Sequence, residues 1–270
     1  MPVEPRALSG GSARDRVRRT GERVVTKLPE ITIYFWIMKI CATTLGETGG
    51  DLLSMTMNVG YGMSSLILIG IFLVTLLVQL ISRKHSPVLF WSVILSTSTA
   101  GTTMSDFMDR TLDLGYATGS AILAALLVGI LAFWRVTVRD LSVVNIRTFR
   151  VELLYWTAIL VSNTLGTALG DYLADDSGLG FAGGAAVIGG LIGLVVLTMY
   201  LTSVSRVALF WIAFVLTRPL GATMGDLMTK PVSEGGLNFG TVGSSLVLAG
   251  ILVYFIALAT RDVRRRAAAQ

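Results

Sequence analysis

Histidine, cysteine and charge are scarce in this sequence: it has one His, one Cys, and charged residues make up 14% of its 270 positions. A lone histidine, His85, and a lone cysteine, Cys41, supply no nitrogen-and-sulfur donor set for a transition metal. A single cysteine also excludes an intramolecular disulfide. Phosphate-binding loop, nucleophile elbow, HExxH pair and haem-attachment motif are all missing, so the chain reads as a non-enzyme without a resident cofactor. The formal net charge of +5 comes without a solvated basic face interleaved with aromatics, which argues against a nucleic-acid partner.

What the sequence does have is apolar length. Hydrophobic residues reach 53% and mean hydropathy is +0.71, too apolar for a soluble globular chain. Eight apolar segments stand out, at 31–52, 61–82, 87–106, 115–138, 152–172, 179–202, 207–227 and 240–260. Each has roughly the 20 residues a bilayer-spanning helix needs. The expectation is an all-α integral membrane protein of eight transmembrane helices, with the lipid bilayer as its first partner.

Around those segments the chain divides into a basic tail at 1–30, a four-helix half at 31–138, a linker at 139–151, a second half at 152–261 and a tail at 262–270. The first span holds Lys39 and Glu47 and has no small-residue cleavage site, so it is not a signal peptide. Basic clusters fall on every second loop: Arg83-Lys84-His85, then Arg135, Arg139, Arg147 and Arg150, then Arg206, then Arg261 with Arg264-Arg265-Arg266. The alternate loops hold only Arg110 and Lys230, among Asp109, Asp113, Asp175, Asp176 and Glu234. The positive-inside rule then puts both termini in the cytoplasm.

One stretch is written four times. It begins at Tyr34-Phe35-Trp36, Phe90-Trp91, Tyr155-Trp156 and Phe210-Trp211. In each copy a Gly follows the Trp by ten residues and an Asp by fifteen: Gly46 and Asp51, Gly101 and Asp106, Gly166 and Asp171, Gly221 and Asp226. The tryptophans are 55, 65 and 55 residues apart, the mark of a duplicated unit duplicated again. With two helices per unit, all four copies run the same way, as parallel repeats do.

Counting from the Trp, positions six, ten and fourteen are small in every copy. They read Ala42, Gly46, Gly50; Thr97, Gly101, Ser105; Ser162, Gly166, Gly170; and Thr217, Gly221, Gly225. Such a stripe lets helix backbones approach closely in lipid. The neighbouring stripe, about 100° round the helix, is polar. Positions seven, eleven and fifteen are Thr43, Glu47, Asp51; Ser98, Thr102, Asp106; Asn163, Thr167, Asp171; and Arg218, Ala222, Asp226. Thr44, Thr99 and Thr164 widen it, and Pro219 replaces them in the fourth copy, where it is expected to kink the helix. Close association of the four helices would turn these strips toward one another and enclose a polar pathway.

Carboxylates at membrane depth line water, bind a cation or take a partner. Oxygen donors suit hard divalent ions, and rings of Asp give cation-selective pores. The candidate metal set is Glu47, Asp51, Asp106, Asp171 and Asp226, with Thr43, Thr102, Asn163, Thr167 and Arg218 completing the pathway. The competing reading has each Asp tie off its own helix end by local hydrogen bonds. Arg218 is too deep to reach the interface and should pair with Glu47 or an Asp. Lys39 should snorkel to the inner interface, and the repeat tryptophans should anchor there.

The Leu45-Gly46-Glu47 core with Asp51, Leu165-Gly166 with Gly170-Asp171, and Arg218-Pro219-Leu220-Gly221-Ala222 with Asp226 resemble a bacterial family. Its members are uncharacterised membrane-anchored proteins built from a two-helix repeat of unknown function. The resemblance spans residues 28–260, departs most at Ser105-Asp106, and implies an inner-membrane location with no activity attached.

The residues favour transport of a cation, divalent and manganese-like, out of the cytoplasm. Exchange against protons and a homo-oligomeric assembly are both compatible with the same residues. The alternative is a scaffold or sensor whose Gly/Asp repeats only pack helices.

Overall fold

A computed structural model describes residues 29, 31–82, 86–139, 141 and 148–268. The basic tail at 1–30 falls almost wholly outside the described residues, as do Arg83-Lys84-His85 and most of the linker at 139–151.

Among the described residues the protein is helical throughout, with eight long helices where eight apolar segments are expected. They are α1 (Ile33–Asp51), α2 (Tyr61–Ile81), α3 (Pro87–Asp106), α4 (Tyr116–Val138), α5 (Phe149–Asp171), α6 (Gly180–Leu201), α7 (Arg206–Thr229) and α8 (Thr241–Ala268). Two boundaries differ from expectation. α5 starts at Phe149 rather than 152, because Thr148 accepts a hydrogen bond from the Val151 amide and caps the helix inside the anticipated linker. α8 carries on to Ala268 through residues read as a tail. Pro219 does not interrupt α7, which runs from Arg206 to Thr229.

Local signals explain most helix ends. Ser86 caps α3 by accepting from the Leu89 amide, with Pro87 at the first helical position, where its missing N–H costs nothing. In three copies the chain leaves its Asp through a π-helical turn, at Leu52–Thr56, Phe107–Thr111 and Tyr172–Asp176. The returning helix then begins just after a glycine with positive φ, Gly60 at 82° and Gly115 at 71°, a conformation in which a Cβ is strained.

The odd-numbered helices form an inner ring, α1 against α3, α3 against α5, α5 against α7, and α7 back against α1. Each even-numbered helix packs outside, on the ring helix of the next copy: α2 on α3, α4 on α5, α6 on α7, and α8 on α1. Among the described residues each pair packs mainly on the neighbouring copy, with only a small contact between α7 and α8 of the fourth repeat, so every repeat relies on its neighbours for its core.

The ring closes through the glycines at position ten, each set against position seven of the next copy. A Cβ on Gly46 would fall on Ser98, on Gly101 against Asn163, on Gly166 against Arg218, and on Gly221 against Thr43. One layer up, Gly50 faces Thr102, Gly170 faces Ala222 and Gly225 faces Glu47. The small stripe of one helix therefore receives the polar strip of its neighbour, in parallel and in register.

Six of the eight helices are long and apolar enough to cross a membrane: α2, α4, α5, α6, α7 and α8. α1 and α3 fall short in apolarity, since the side chains they turn inward include Lys39, Glu47, Asp51, Ser98, Thr102 and Asp106. Large apolar side chains such as Leu66, Leu73, Val128 and Leu194 are exposed along the outer helices, as a lipid-facing shell requires.

The seam predicts a sharp contrast between two glycines. At Gly101 an added Cβ would lie 2.9 Å from both the Asn163 carbonyl carbon and the Thr164 amide nitrogen, whereas Gly129 has nothing within 4 Å. Gly101→Ala should cost about 1–3 kcal/mol through overpacking. Gly129→Ala should stabilise by up to about 1 kcal/mol through helix propensity. Thermal unfolding of the purified variants checks both signs.

Candidate functional site

The inward faces of the four ring helices stack as layers along one axis, about 6 Å apart, because positions three, seven, eleven and fifteen recur every four residues. Nearest the chain's basic end, the aromatic residues before each Trp form a plug. Phe35 lies 6.5 Å from Phe90 and 6.4 Å from Phe210, and Phe90 lies 5.8 Å from Trp156, centroid to centroid. Above it come Lys39, Ile94, Ile159 and Phe214, then Thr43, Ser98, Asn163 and Arg218, all fully buried. Glu47, Thr102, Thr167 and Ala222 follow, and the four aspartates close the stack.

Arg218 and Glu47 tie the middle of the stack together. Arg218 Nη1 donates to Glu47 Oε2 at 2.9 Å, with both side chains buried. Its Nη2 donates to Thr167 Oγ1 at 2.7 Å, to the Ser98 carbonyl at 3.3 Å, and to Thr102 Oγ1. Thr102 and Thr167 in turn donate to the same Glu47 oxygen at 3.2 and 3.3 Å. One ion pair thus engages α1, α3, α5 and α7. A single guanidinium and two hydroxyls on one carboxylate oxygen form the charge-assisted network that makes a buried pair tolerable.

The aspartate layer is divided between two cations. Arg110 bridges Asp106 at 3.2 Å and Asp171 at 3.5 Å, and its guanidinium lies beside the rings of Tyr61 and Tyr116. Lys230 bridges Asp51 and Asp226, each at 3.3 Å. Burial works against the Lys230 ammonium, but the carboxylates of Asp226 and Asp51 outweigh it and hold its pKa above the ordinary lysine value. On the Lys230 side, carboxylate oxygens of Glu47, Asp51 and Asp226 lie within 4.8 Å of one another. Three carboxylate oxygens so close could ligate a hard divalent ion. Asp106 and Asp171, named in the same candidate set, belong to the Arg110 side.

The remaining expected residues fall into place unevenly. Thr43 donates across the seam to the Thr217 carbonyl at 3.1 Å, and the Asn163 amide donates to Thr97 Oγ1 at 2.9 Å. Gly46, Gly50, Gly101, Gly166, Gly170, Gly221 and Gly225 all lie at helix contacts. Thr44, Thr99 and Thr164 do not widen the polar strip. Their hydroxyls bond back to the carbonyls of Ile40, Leu95 and Leu160 on their own helices.

Two further expectations are overturned. Lys39 does not snorkel: it is fully buried, its Nζ sits 4.2 Å from the Phe214 ring centroid, and no hydrogen-bond acceptor reaches it. Its position, four residues before Thr43, puts it on the inward stripe rather than at the helix rim. Three of the four repeat tryptophans are not interfacial anchors either, since Trp91, Trp156 and Trp211 are 2%, 1% and 5% exposed and pack into the aromatic plug, while Trp36 is half-buried at its edge.

Arg110 and Lys230 are the residues that sequence reasoning passed over as loop cations. Each follows its Asp by four positions, Asp106 to Arg110 and Asp226 to Lys230, and that spacing on one helical face is the signal that could have found them.

Fold and site together define an all-helical repeat protein with a polar axis, its outer helices compatible with multi-pass insertion in a membrane. The chain belongs to the family described as Repeat of Unknown Function (DUF347), which matches residues 34–85, 89–140, 154–205 and 209–265. Those starts repeat the 55, 65 and 55 spacing of the tryptophans. No curated protein and no solved structure matches the chain.

Lys39 yields a direct test of the axis. Replacing its amine with an apolar side chain of similar size removes a buried polar group that has no hydrogen-bond acceptor and only the face of the Phe214 ring to offset its desolvation. Lys39→Met should therefore raise stability by about 1–3 kcal/mol, read as a higher unfolding midpoint, whereas a solvated lysine would leave it unchanged.

Proposed function

We propose that the chain is an eight-span, multi-pass protein of the bacterial inner membrane, with four parallel two-helix repeats and both termini in the cytoplasm, and that it moves a cation along its axis. The observation that carries this reading is the convergence of Glu47, Asp51 and Asp226, with oxygens within 4.8 Å. Hard divalent ions fit an all-oxygen donor set of this charge, and a manganese-like ion tolerates it. Two features support α1 and α3 as spans despite their polar content: each is enclosed by neighbouring helices, and each directs its charges to the axis rather than to lipid.

In this conformation the protein's own cations occupy the carboxylates. Lys230 sits between Asp51 and Asp226 as a tethered surrogate, and a divalent ion entering there must displace it. Lysine suits that role, being a flexible point charge, whereas Arg110 holds its two aspartates with a planar fork that releases less readily. Below Asp51 and Asp226, Arg218 holds Glu47, the deepest of the three carboxylates, and the aromatic plug closes the axis.

A scaffold or sensor is the second reading, favoured by the same ion pairs, which balance most of the axial charge internally.

Metal-dependent thermal stabilisation separates the two. A bound ion at one hundred times its dissociation constant should add about 2.7 kcal/mol to wild-type stability. Asp51→Asn and Asp226→Asn should abolish that shift, Asp171→Asn should leave it largely in place, and transport in vesicles should follow the same order. A chain whose unfolding midpoint ignores every divalent ion in the panel is a scaffold.

A further inference from the structure

A second feature lies at the opposite end of the axis, away from the carboxylates. Between the end of α4 and the start of α7 is a cavity of about 450 Å³. Its inner wall is apolar, made by Leu131, Val207 and the Trp211 ring, and Trp211 is held in place by donating from Nε1 to the Leu141 carbonyl at 3.1 Å. Arg135 and Arg139 line the same cavity, and Arg135 Nη1 donates to the Arg139 carbonyl. That carbonyl belongs to a residue with φ of 62°, a left-handed cap that turns the chain off α4 and leaves both guanidinium groups at the same helix end.

Two features single this cavity out. Both arginines are exposed, and neither forms an ion pair with a carboxylate among the described residues. Cationic and apolar groups also line one space, so a purely inorganic ion would leave the apolar wall bare, and a neutral apolar molecule would leave two guanidinium groups without a counter-charge. An anion carrying an apolar chain satisfies both. Paired arginines match phosphate oxygens in particular, through planar fork geometry.

We propose that this cavity binds an anionic phospholipid, its phosphate between Arg135 and Arg139 and the start of an acyl chain along Leu131, Val207 and Trp211. The site takes from the membrane reading above only that these helices sit in a bilayer. It is independent of cation transport. Basic pockets between helices at a membrane surface recognise lipid headgroups by this combination of charge and apolar wall.

The test uses the full chain in nanodiscs of phosphatidylcholine, titrated with phosphatidylglycerol, with retained lipid read by native mass spectrometry. Phosphatidylglycerol should be preferred by about 30-fold, the combined effect of two arginines near the surface. Arg135→Gln/Arg139→Gln should bring the two lipids to parity. Arg206→Gln, a charge at the same end that does not line the cavity, should keep the preference. Equal retention of both lipids by the wild type overturns the proposal, and so does an equal loss in Arg206→Gln, which would mean general surface attraction. Inorganic phosphate that raises the unfolding midpoint as much as the lipid does, and in an Arg135-dependent way, would also overturn the lipid assignment. A chain that does not enter nanodiscs at all contradicts the membrane reading instead, and is recognised before any lipid is added.

Discussion

The Arg218–Glu47 ion pair is the constraint on which the rest of this structure depends. A guanidinium and a carboxylate, both nearly free of solvent, lie at the centre of four helices, and burying either alone would be prohibitive. The pair is tolerable because α3 and α5 supply Thr102 and Thr167 to it, and because Arg218 also reaches the Ser98 carbonyl. Those donors arrive at the right depth only if neighbouring helices run in register. Register is set in turn by glycines at position ten, whose lack of a Cβ lets the next helix bring position seven into contact. Seam and ion pair are thus one design: the first permits the approach that the second requires.

Quadruplication gave the axis its shape, and departures from the repeat gave it its chemistry. The aspartate is common to all four copies, but Arg110 and Lys230 follow it only in copies two and four. Four equivalent carboxylates therefore become two bridged pairs, Asp106 with Asp171 and Asp226 with Asp51. Glu47 and Arg218 are single-copy as well and occupy adjacent layers. Lys39 has no counterpart, and it lies one layer nearer the aromatic plug than Arg218.

The ring could be read from the sequence because its signal is periodic. Small residues at six, ten and fourteen beside polar residues at seven, eleven and fifteen specify which face meets which, and the structure brings those faces together. That Arg218 pairs with an axial carboxylate is legible from depth alone, but depth leaves Glu47 and the aspartates equal, and only the structure selects Glu47. The differences share a physical cause: residues whose type or distance from the helix start suits the interface lie on the inward face instead. Distance from the helix start suggests the rim for Lys39, but its phase with Thr43 and Glu47 places it on the axis. Residue type suggests the headgroup region for the tryptophans, yet the phenylalanine or tyrosine before each one belongs to an inward-facing aromatic plug. That the even helices dock on the next copy rather than their own could not be read, because nothing local distinguishes the two neighbours.

A double-mutant cycle on Glu47 and Arg218 tests the central claim most directly. Unfolding free energies would be measured for Glu47→Gln, Arg218→Gln and the double variant in one detergent. Each single change strands a buried partner and should cost about 3–5 kcal/mol. The double variant should cost far less than the two losses added together. Losses that simply add would mean the two side chains do not meet, and that the four helices do not enclose a common axis.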